Sequence, residues 1–515
     1  MAKGGGGLRL LVLVGKVLTV YVPAKYPERE FLLTFQKLSD FAEFLLNPIP
    51  DFPVDPQNFI AEWESLAEKA LLHGNMPALK LLQNLLRRLL VKFGQWQFFY
   101  ERYEGLLTLI AGSYSRAANH FQTEVKLAQQ QENSAEIIRA QLNLVEAYLL
   151  LGKLEATEIL LKEILNLATA QALLLPQARA LSRLGYLSQL RQQWEVGQDY
   201  LQRSLDLLKS RNESNPYVGL IKASTLHWLG AYQTEMREWA TAEAALRQSL
   251  ALRYELRHMT GIAETLLQLG IVYQQMSNYS SALICFEGSL AICQQLNYMP
   301  TLLQAFYYKA AVFYAEGRYK EALGLAQQAV EIGLATEQPD WLAKAFLSLG
   351  RVYHKLQKEE QAIEAHLKVA RLYQPASQNL QWIELLIGVG DFLLDLRERA
   401  GYWKQGLNCY RYAVTLIEKN QRLEYLAPAL GKMGRAFMRE GNVAALKDAA
   451  RSYRLQLQLA GDLDSVVLPT EVAVAMRVEA LMGLQRCAAL QINKNYFNPT
   501  IDLLFPSLET VSAPG

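Results

Sequence analysis

One small-residue position returns along this chain at a nearly fixed interval. It falls on Ala67, Gly105, Val145, Gly185, Gly230, Gly270, Ala310, Gly350, Gly390 and Gly434, with steps of 38, 40, 40, 45, 40, 40, 40, 40 and 44 residues. The stretch TLLQLGIVYQQMSNYSSALICFEGSLAICQQL, Thr265 to Leu296, shows its setting. Leu266, Leu269, Gly270 and Tyr273 lie three or four apart, the apolar stripe of one helix. A polar turn, MSNY, follows, and Ala282, Phe286 and Ser289 mark a second helix. A small residue is needed where two helices cross, because a large side chain there holds the axes apart. Gly288 matches no repeated slot. A helix pair of this size cannot bury its own apolar faces, so about ten of them, between roughly Ile60 and Ala460, must stack.

The phasing of Leu266, Leu269, Gly270, Tyr273, Ala282 and Phe286, with Ser289 in the last small slot and Trp63, Leu66 and Ala67 opening the first unit, resembles the tetratricopeptide repeat family. The resemblance implies an all-α solenoid, about ten helix-turn-helix repeats in a right-handed superhelix. The handedness comes from the resemblance; periodicity does not supply it. The family's usual repeat is about 34 residues long; these units are near 40. Its proline at the end of the second helix is missing, and Pro300, Pro339 and Pro375 are placed in connectors.

Three regions are expected: an N-terminal extension over 1–57, the array over 58–461, and a closing helix with tail over 462–515. Pro27 to Leu46 reads as a capping helix with Phe31, Phe35, Leu38, Ala42 and Leu45 on its buried face. The connector NPIPDFPVDP reads as stiff. Thr470 to Leu490 reads as the closing helix and Asn493 to Gly515 as irregular. Ser210–Pro216 and Arg397–Gly401 are longer joints, read as surface insertions. Leu8 to Val22 is apolar, but at 15 residues with Arg9 and Lys16 inside it it falls short of the ~20 that span a bilayer. A β-rich or poorly ordered extension is expected there.

A net charge of +2 argues against a broad nucleic-acid footprint, which needs a basic surface. Cys285, Cys293, Cys409 and Cys487 lack zinc spacing and read as buried thiols of a reducing, cytoplasmic compartment. No nucleophile elbow, phosphate-binding loop or metalloprotease motif is found, and the six histidines are scattered. No catalytic residue, metal or cofactor is therefore expected.

In repeats of this family the first helix of each pair lines a groove, and residues one repeat apart become neighbours. Arg139 and Arg179 share one slot and Asn143 and Arg183 another, each pair 40 residues apart. Such like charges need a counter-anion or open solvent, and a guanidinium fork suits a carboxylate or phosphate. The set resembles the carboxylate clamp by which tetratricopeptide cochaperones hold the acidic C-terminus of heat-shock chaperones. Arg102 would stand for the clamp's first lysine, Asn143 for its second-unit asparagine, Arg179 for the third-unit lysine and Arg183 for the arginine. Leu106 stands where the first asparagine would be. Solvated arginines, or pairing with Glu136 or Glu146, is the other reading. Tyr307, Tyr308 and Tyr314 either offer flat contacts to a peptide or pack between helices. Lys344, Arg351 and Lys355 stand 40 residues before Glu384, Asp391 and Asp395, as a salt-bridge ladder or a mixed-charge site.

The expected function is a non-enzymatic interaction scaffold that binds a peptide or helical segment of a partner protein in the groove, with an acidic segment suited to the arginines. The alternative is a peptide-sensing regulator whose superhelix changes on binding. Neither the partner nor the oligomeric state is legible.

Overall fold

A computed structural model describes residues 12–13, 16–17, 56–209, 215–373, 380–396, 402–420, 423–440, 443–462 and 470–493. The expected capping helix at 27–46, Arg397–Gly401, the middle of the Ser210–Pro216 joint, Pro375 and the tail beyond Asn493 lie outside these residues. Within the apolar N-terminal stretch, β1 (Val12–Leu13) and β2 (Lys16–Val17) pair antiparallel.

Among the described residues the rest of the chain is built from twenty-one α-helices. In chain order they are α1 (Pro56–Leu72), α2 (Met76–Leu89), α3 (Gln97–Ile110), α4 (Tyr114–Gln130), α5 (Ser134–Leu150), α6 (Leu154–Ala170) and α7 (Leu174–Leu190). Next come α8 (Trp194–Leu208), α9 (Pro216–Glu235), α10 (Trp239–Glu255), α11 (Met259–Gln275), α12 (Tyr279–Leu296), α13 (Met299–Ala315) and α14 (Tyr319–Ala335). The last are α15 (Pro339–Lys355), α16 (Glu359–Leu372), α17 (Gln381–Asp395), α18 (Tyr402–Lys419), α19 (Leu423–Glu440), α20 (Val443–Asp462) and α21 (Thr470–Asn493). Ten first-and-second helix pairs and one closing helix thus follow the spacing of the small residues. The chain divides into two compact units, Met1–Ala362 and Ile363–Gly515.

Local chemistry sets the helix ends. Asn75, Asn133, Asn215 and Asn278 each accept a backbone N–H of the next helix's first turn, satisfying donors that have no partner within the helix. Pro300 and Pro339, placed in connectors on sequence grounds, open α13 and α15 instead. A proline costs nothing in a first turn, where its missing N–H has no partner to lose. The turn inside each of the first eight pairs carries a left-handed residue, at Gly74, Gly112, Gly152, Gln192, Arg237, Ser277, Gly317 and Gln357. The following N–H reaches back five residues, as Asn278 does to Tyr273 O (2.8 Å) and Arg318 to Phe313 O (2.9 Å). This closure of the helix end reverses the chain within a few residues.

The recurring small residues are packing notches. A Cβ on Gly105 would stand 2.5 Å from the Phe121 ring, and one on Gly230 would stand 2.6 Å from Leu246; Gly270 meets the Phe286 ring in the same way. The last slot adds a hydrogen bond. Ser204, Ser249 and Ser289 donate to the carbonyls of Ala178, Ala223 and Ala263, each 26 residues earlier, at 2.7, 2.6 and 2.8 Å. All four cysteines are free and buried, and burial pushes the Cys285 and Cys293 thiols up to about 12.

In the first unit successive first helices touch, α3 on α5, α5 on α7 and so on to α13 on α15. The unit also winds back on itself. Gly74 lies against Leu296, Gly112 against Thr336 and Met299, and Gly152 near Asp340. In the second unit α17 to α21 pack in sequence around Tyr410, Phe437, Tyr453 and Leu484. The outward side of α21 carries Val474, Val478, Leu481 and Met482, each about half exposed. No helix among the described residues is long and apolar enough to cross a membrane.

Candidate partner-binding wall of the first unit

The first helices of neighbouring pairs place slot-mates side by side, and the wall is built from these rows. Glu64 and Arg102 share a slot 38 residues apart, and Arg102 Nη1 donates to Glu64 Oε1 at 2.8 Å. Arg102 Nε donates to Glu124 Oε1 at 2.7 Å, and its Nη2 to Glu136. The guanidinium also lies over the Phe98 ring, 4.3 Å from its centroid. With its side chain 1% exposed, Arg102 offers no surface to a ligand. It is a structural cation, which corrects its placement in the groove. The cause is Glu124, a fully buried carboxylate in the slot that Ser204, Ser249 and Ser289 fill elsewhere. A buried carboxylate needs a paired cation and further donors. Asn143 Nδ2 supplies one at 3.2 Å, and Asn143 too is buried. Burial still raises the carboxyl pKa of Glu124, against the pull of Arg102 and Asn143.

Arg139 is about one-third exposed and donates to Glu64 Oε1 (3.1 Å) and Glu68 Oε1 (2.5 Å). Burial works against its charge, but Tyr103, Glu64, Glu68 and Glu136 outweigh it and hold the pKa above the ordinary guanidinium range. Glu68 also accepts from the hydroxyl of Tyr217 at 3.1 Å, 149 residues away. This end of the wall is neutralised within the protein.

One pair further on the balance changes. Arg179 and Arg183 share a single carboxylate, Glu146. Arg183 Nε donates to Glu146 Oε1 at 2.8 Å, while Arg179 Nη2 stands 3.7 Å from it. Arg179 keeps 37% of its side-chain surface open, yet it lies deep in the unit. Burial lowers its pKa, Glu146 opposes this, and Arg183 and Arg139 lower it further. For Arg183 burial also disfavours the charge, but Glu146 and Glu264 raise the pKa. Arg183 lies 5.6 Å from the ring centroid of its slot-mate Trp228, and Trp228 stacks on Tyr186 at 3.8 Å. Nearby, Arg253 is buried and donates to Thr265 Oγ1 (2.8 Å) and Glu264 Oε2 (3.3 Å). Burial, then Arg253 and Arg183, drive the pKa of His227 well below the usual histidine value. Burial first, and the neighbouring guanidinium charges second, disfavour a charged imidazole here.

Tyr307 and Tyr308 form an edge-on pair (5.0 Å) with Trp341 at 5.8 and 6.0 Å from the two rings. Both tyrosines are half-buried. Lys344 lies 4.1 Å over Trp341, and Tyr314 stands edge-on to Tyr319 at 5.4 Å. In the second unit Asp391 accepts from the Tyr410 hydroxyl at 2.8 Å and from Lys432.

The sequence reading placed Arg139, Asn143, Arg179 and Arg183 together, and they lie on neighbouring helices. It did not identify Glu64, Glu68, Glu124 or Trp228. Glu64 and Trp228 were findable, since each is one repeat from an arginine already singled out. Glu124 sits on a second helix, outside the rows considered.

A family model described as "Tetratricopeptide repeat" matches residues 221–295 and 301–374. No curated protein matches the chain. Among solved structures, the apo quorum sensor NprR from B. thuringiensis shares 16% identity over 70% of this chain and 97% of its own, at a TM-score of 0.44. A Rap protein complexed with competence and sporulation factor shares 14% over 69% and 99%, also at 0.44. A putative kinesin light chain of Podosopora anserina with nearly identical TPR-like repeats shares 19% over 38% and 93%, at 0.31.

Proposed function

We propose, from the premise that this chain is a tetratricopeptide-repeat protein, that it is a non-catalytic scaffold whose first unit holds a segment of a partner protein along its inner wall. The binding end is the wall around Arg179 and Arg183, which favours an acidic side chain or a free C-terminal carboxylate. One observation carries this reading: two guanidinium groups share the Glu146 carboxylate, and the one standing off at 3.7 Å is the more exposed. A ligand carboxylate would supply the second anion, and guanidinium geometry accepts it in a two-pronged contact. Trp228 and Tyr186 offer a flat apolar floor beside it, the kind of surface that anchors peptide side chains. Arg139 and Asn143 position this wall through Glu64, Glu68 and Glu124, and the Tyr307–Tyr308–Trp341 cluster offers a second aromatic surface on α13 and α15.

The test is calorimetric titration of the full chain with a short synthetic peptide ending in two glutamates, and with the same peptide as its C-terminal amide with glutamines. Arg179→Ala/Arg183→Ala should weaken binding of the acidic form by about tenfold or more, or at least ~1.4 kcal/mol. Equal affinity of wild type and double variant would remove the anionic site. The alternative, a regulator whose coil changes pitch when a peptide enters, draws on the contacts that close the first unit. It requires the radius of gyration to change on peptide addition.

A further inference from the structure

Within the first unit, the turn between α3 and α4 meets the connector between α14 and α15 across more than two hundred residues of chain. Glu337 N donates to Gly112 O at 3.3 Å, and the Glu337 carboxylate accepts from Ser115 N at 2.6 Å. Gln338 donates to the Tyr114 hydroxyl, in a contact buried on both sides. The Thr336 side chain fills the space a Cβ on Gly112 would need, 2.6 Å from its methyl carbon. Gly112 is doubly required, because its φ of +85° is also closed to ordinary side chains.

Three features show that the fold is adapted to this contact. The carboxylate at the N-terminus of α4 comes from Glu337, 222 residues further along the chain, where the helix dipole favours an anion. The connectors after α4, α6, α10 and α12 place Glu132, Ala172, Arg257 and Asn297 in the left-handed conformation. Thr336 departs from that rule and is extended, at φ −120° and ψ 156°. Finally, the junction is incompletely satisfied: Thr336 Oγ1 and Gln338 Oε1 are buried without a hydrogen-bond partner. Parting the junction returns both to water, whereas parting two stacked helix pairs exposes continuous apolar surface.

We propose that this junction is a clasp, which closes one turn of the first unit over its inner wall and parts to admit a ligand to Arg179 and Arg183. Opening is local, drawn from a contact that leaves two buried polar atoms without partners, and leaves every helix pair intact. The other fastenings are an apolar contact, Leu296 against Gly74, and one exposed hydrogen bond from the Tyr217 hydroxyl to Glu68 at 3.1 Å, which water can replace. The clasp stands whatever the ligand is. If the acidic peptide fails to bind while the clasp opens, only the peptide reading falls.

Two measurements on the full chain test it. In wild type, native-state hydrogen exchange at Ser115 and Glu337 should proceed by local opening, insensitive to low denaturant, while Val145 in α5 exchanges far more slowly. Exchange of Ser115 and Glu337 only through unfolding of the whole unit would overturn the clasp. In Glu337→Ala/Gln338→Ala, phenylglyoxal should modify Arg179 several-fold faster than in wild type, with the exposed Arg203 unchanged as reference and helical circular dichroism preserved. Unchanged Arg179 reactivity in a folded variant would overturn it as well. Should that variant not fold, Tyr114→Phe, which removes one hydroxyl, is read in the same way.

Discussion

Glu64 accepts hydrogen bonds from Arg102 at 2.8 Å and from Arg139 at 3.1 Å through one oxygen. The carboxylate of the first helix pair is thereby shared by its slot-mate one repeat on and by a residue of the third pair. Adjacency by repeat makes the network possible, and its carboxylates consume most of the positive charge that a ligand would otherwise meet.

Arg102→Leu should therefore be among the most damaging substitutions in the first unit. It strands Glu124, fully buried, with Asn143 as its only remaining hydrogen-bond donor of those described above. Removing one partner of a buried pair costs about 3–5 kcal/mol. The double variant Arg102→Leu/Glu124→Leu should recover most of that loss. Thermal melts of the three proteins decide it, and a single variant that melts like wild type refutes the structural role.

Arg179→Ala should behave oppositely. Its side chain is 37% exposed and held at 3.7 Å from a carboxylate that Arg183 already claims. Stability should change by no more than about 0.5 kcal/mol, while affinity for an acidic peptide falls. A large drop in melting temperature would make Arg179 part of the framework.

Gly270→Leu drives a side chain into the Phe286 ring. Overpacking of this kind costs about 1–3 kcal/mol. Urea denaturation measures it, and an unchanged midpoint would show that the helix crossing has slack.

Acidification should destabilise the first unit through His227 and His258. Burial, then Arg253 and Arg183, depress His227 well below its ordinary value; burial and Arg253 bring His258 down to about 3. A depressed folded pKa means that the unfolded chain takes up the proton first. The stabilisation is complete above the unfolded value of about 6.5 and is lost as pH falls below it. The slope is at most about 1.4 kcal/mol per pH unit for each histidine. Glu64 and Glu124, with pKa values raised chiefly by burial, act in the opposite sense: their contribution grows as pH falls through their folded values. The comparison is therefore His227→Gln against wild type between pH 7 and 5.5. The variant should show the shallower loss of melting temperature, and parallel curves would exclude His227.

The sequence carried the pairing of helices and the notch glycines, because both recur in phase from one repeat to the next. Pairing of the arginines with Glu146 was the other reading of the cluster, and Arg183 does donate to that carboxylate, at 2.8 Å. Other features depend on how far each pair rotates against the last, which a forty-residue pattern does not record. Tyr217 reaching Glu68, and Glu337 reaching Gly112, belong to that class. The misplacement of Arg102 has a simpler cause: a carboxylate in a slot otherwise filled by serine draws the cation inward, and attention to first helices alone overlooks it. Pro300 and Pro339 were misplaced because a proline between two helical patterns marks a helix start as readily as a connector.

Stacked helix pairs are ordinarily modular, so that one pair can be inserted or deleted with only its two neighbours affected. The contact of Gly112 with Glu337 takes that freedom from the first unit. It joins elements five pairs apart and so acts as a counter: excising Met259 to Tyr298 cleanly, with every remaining helix interface chemically plausible, would leave Glu337 facing the wrong turn. Over this span the number of repeats is itself a structural parameter, fixed by one glycine and one glutamate.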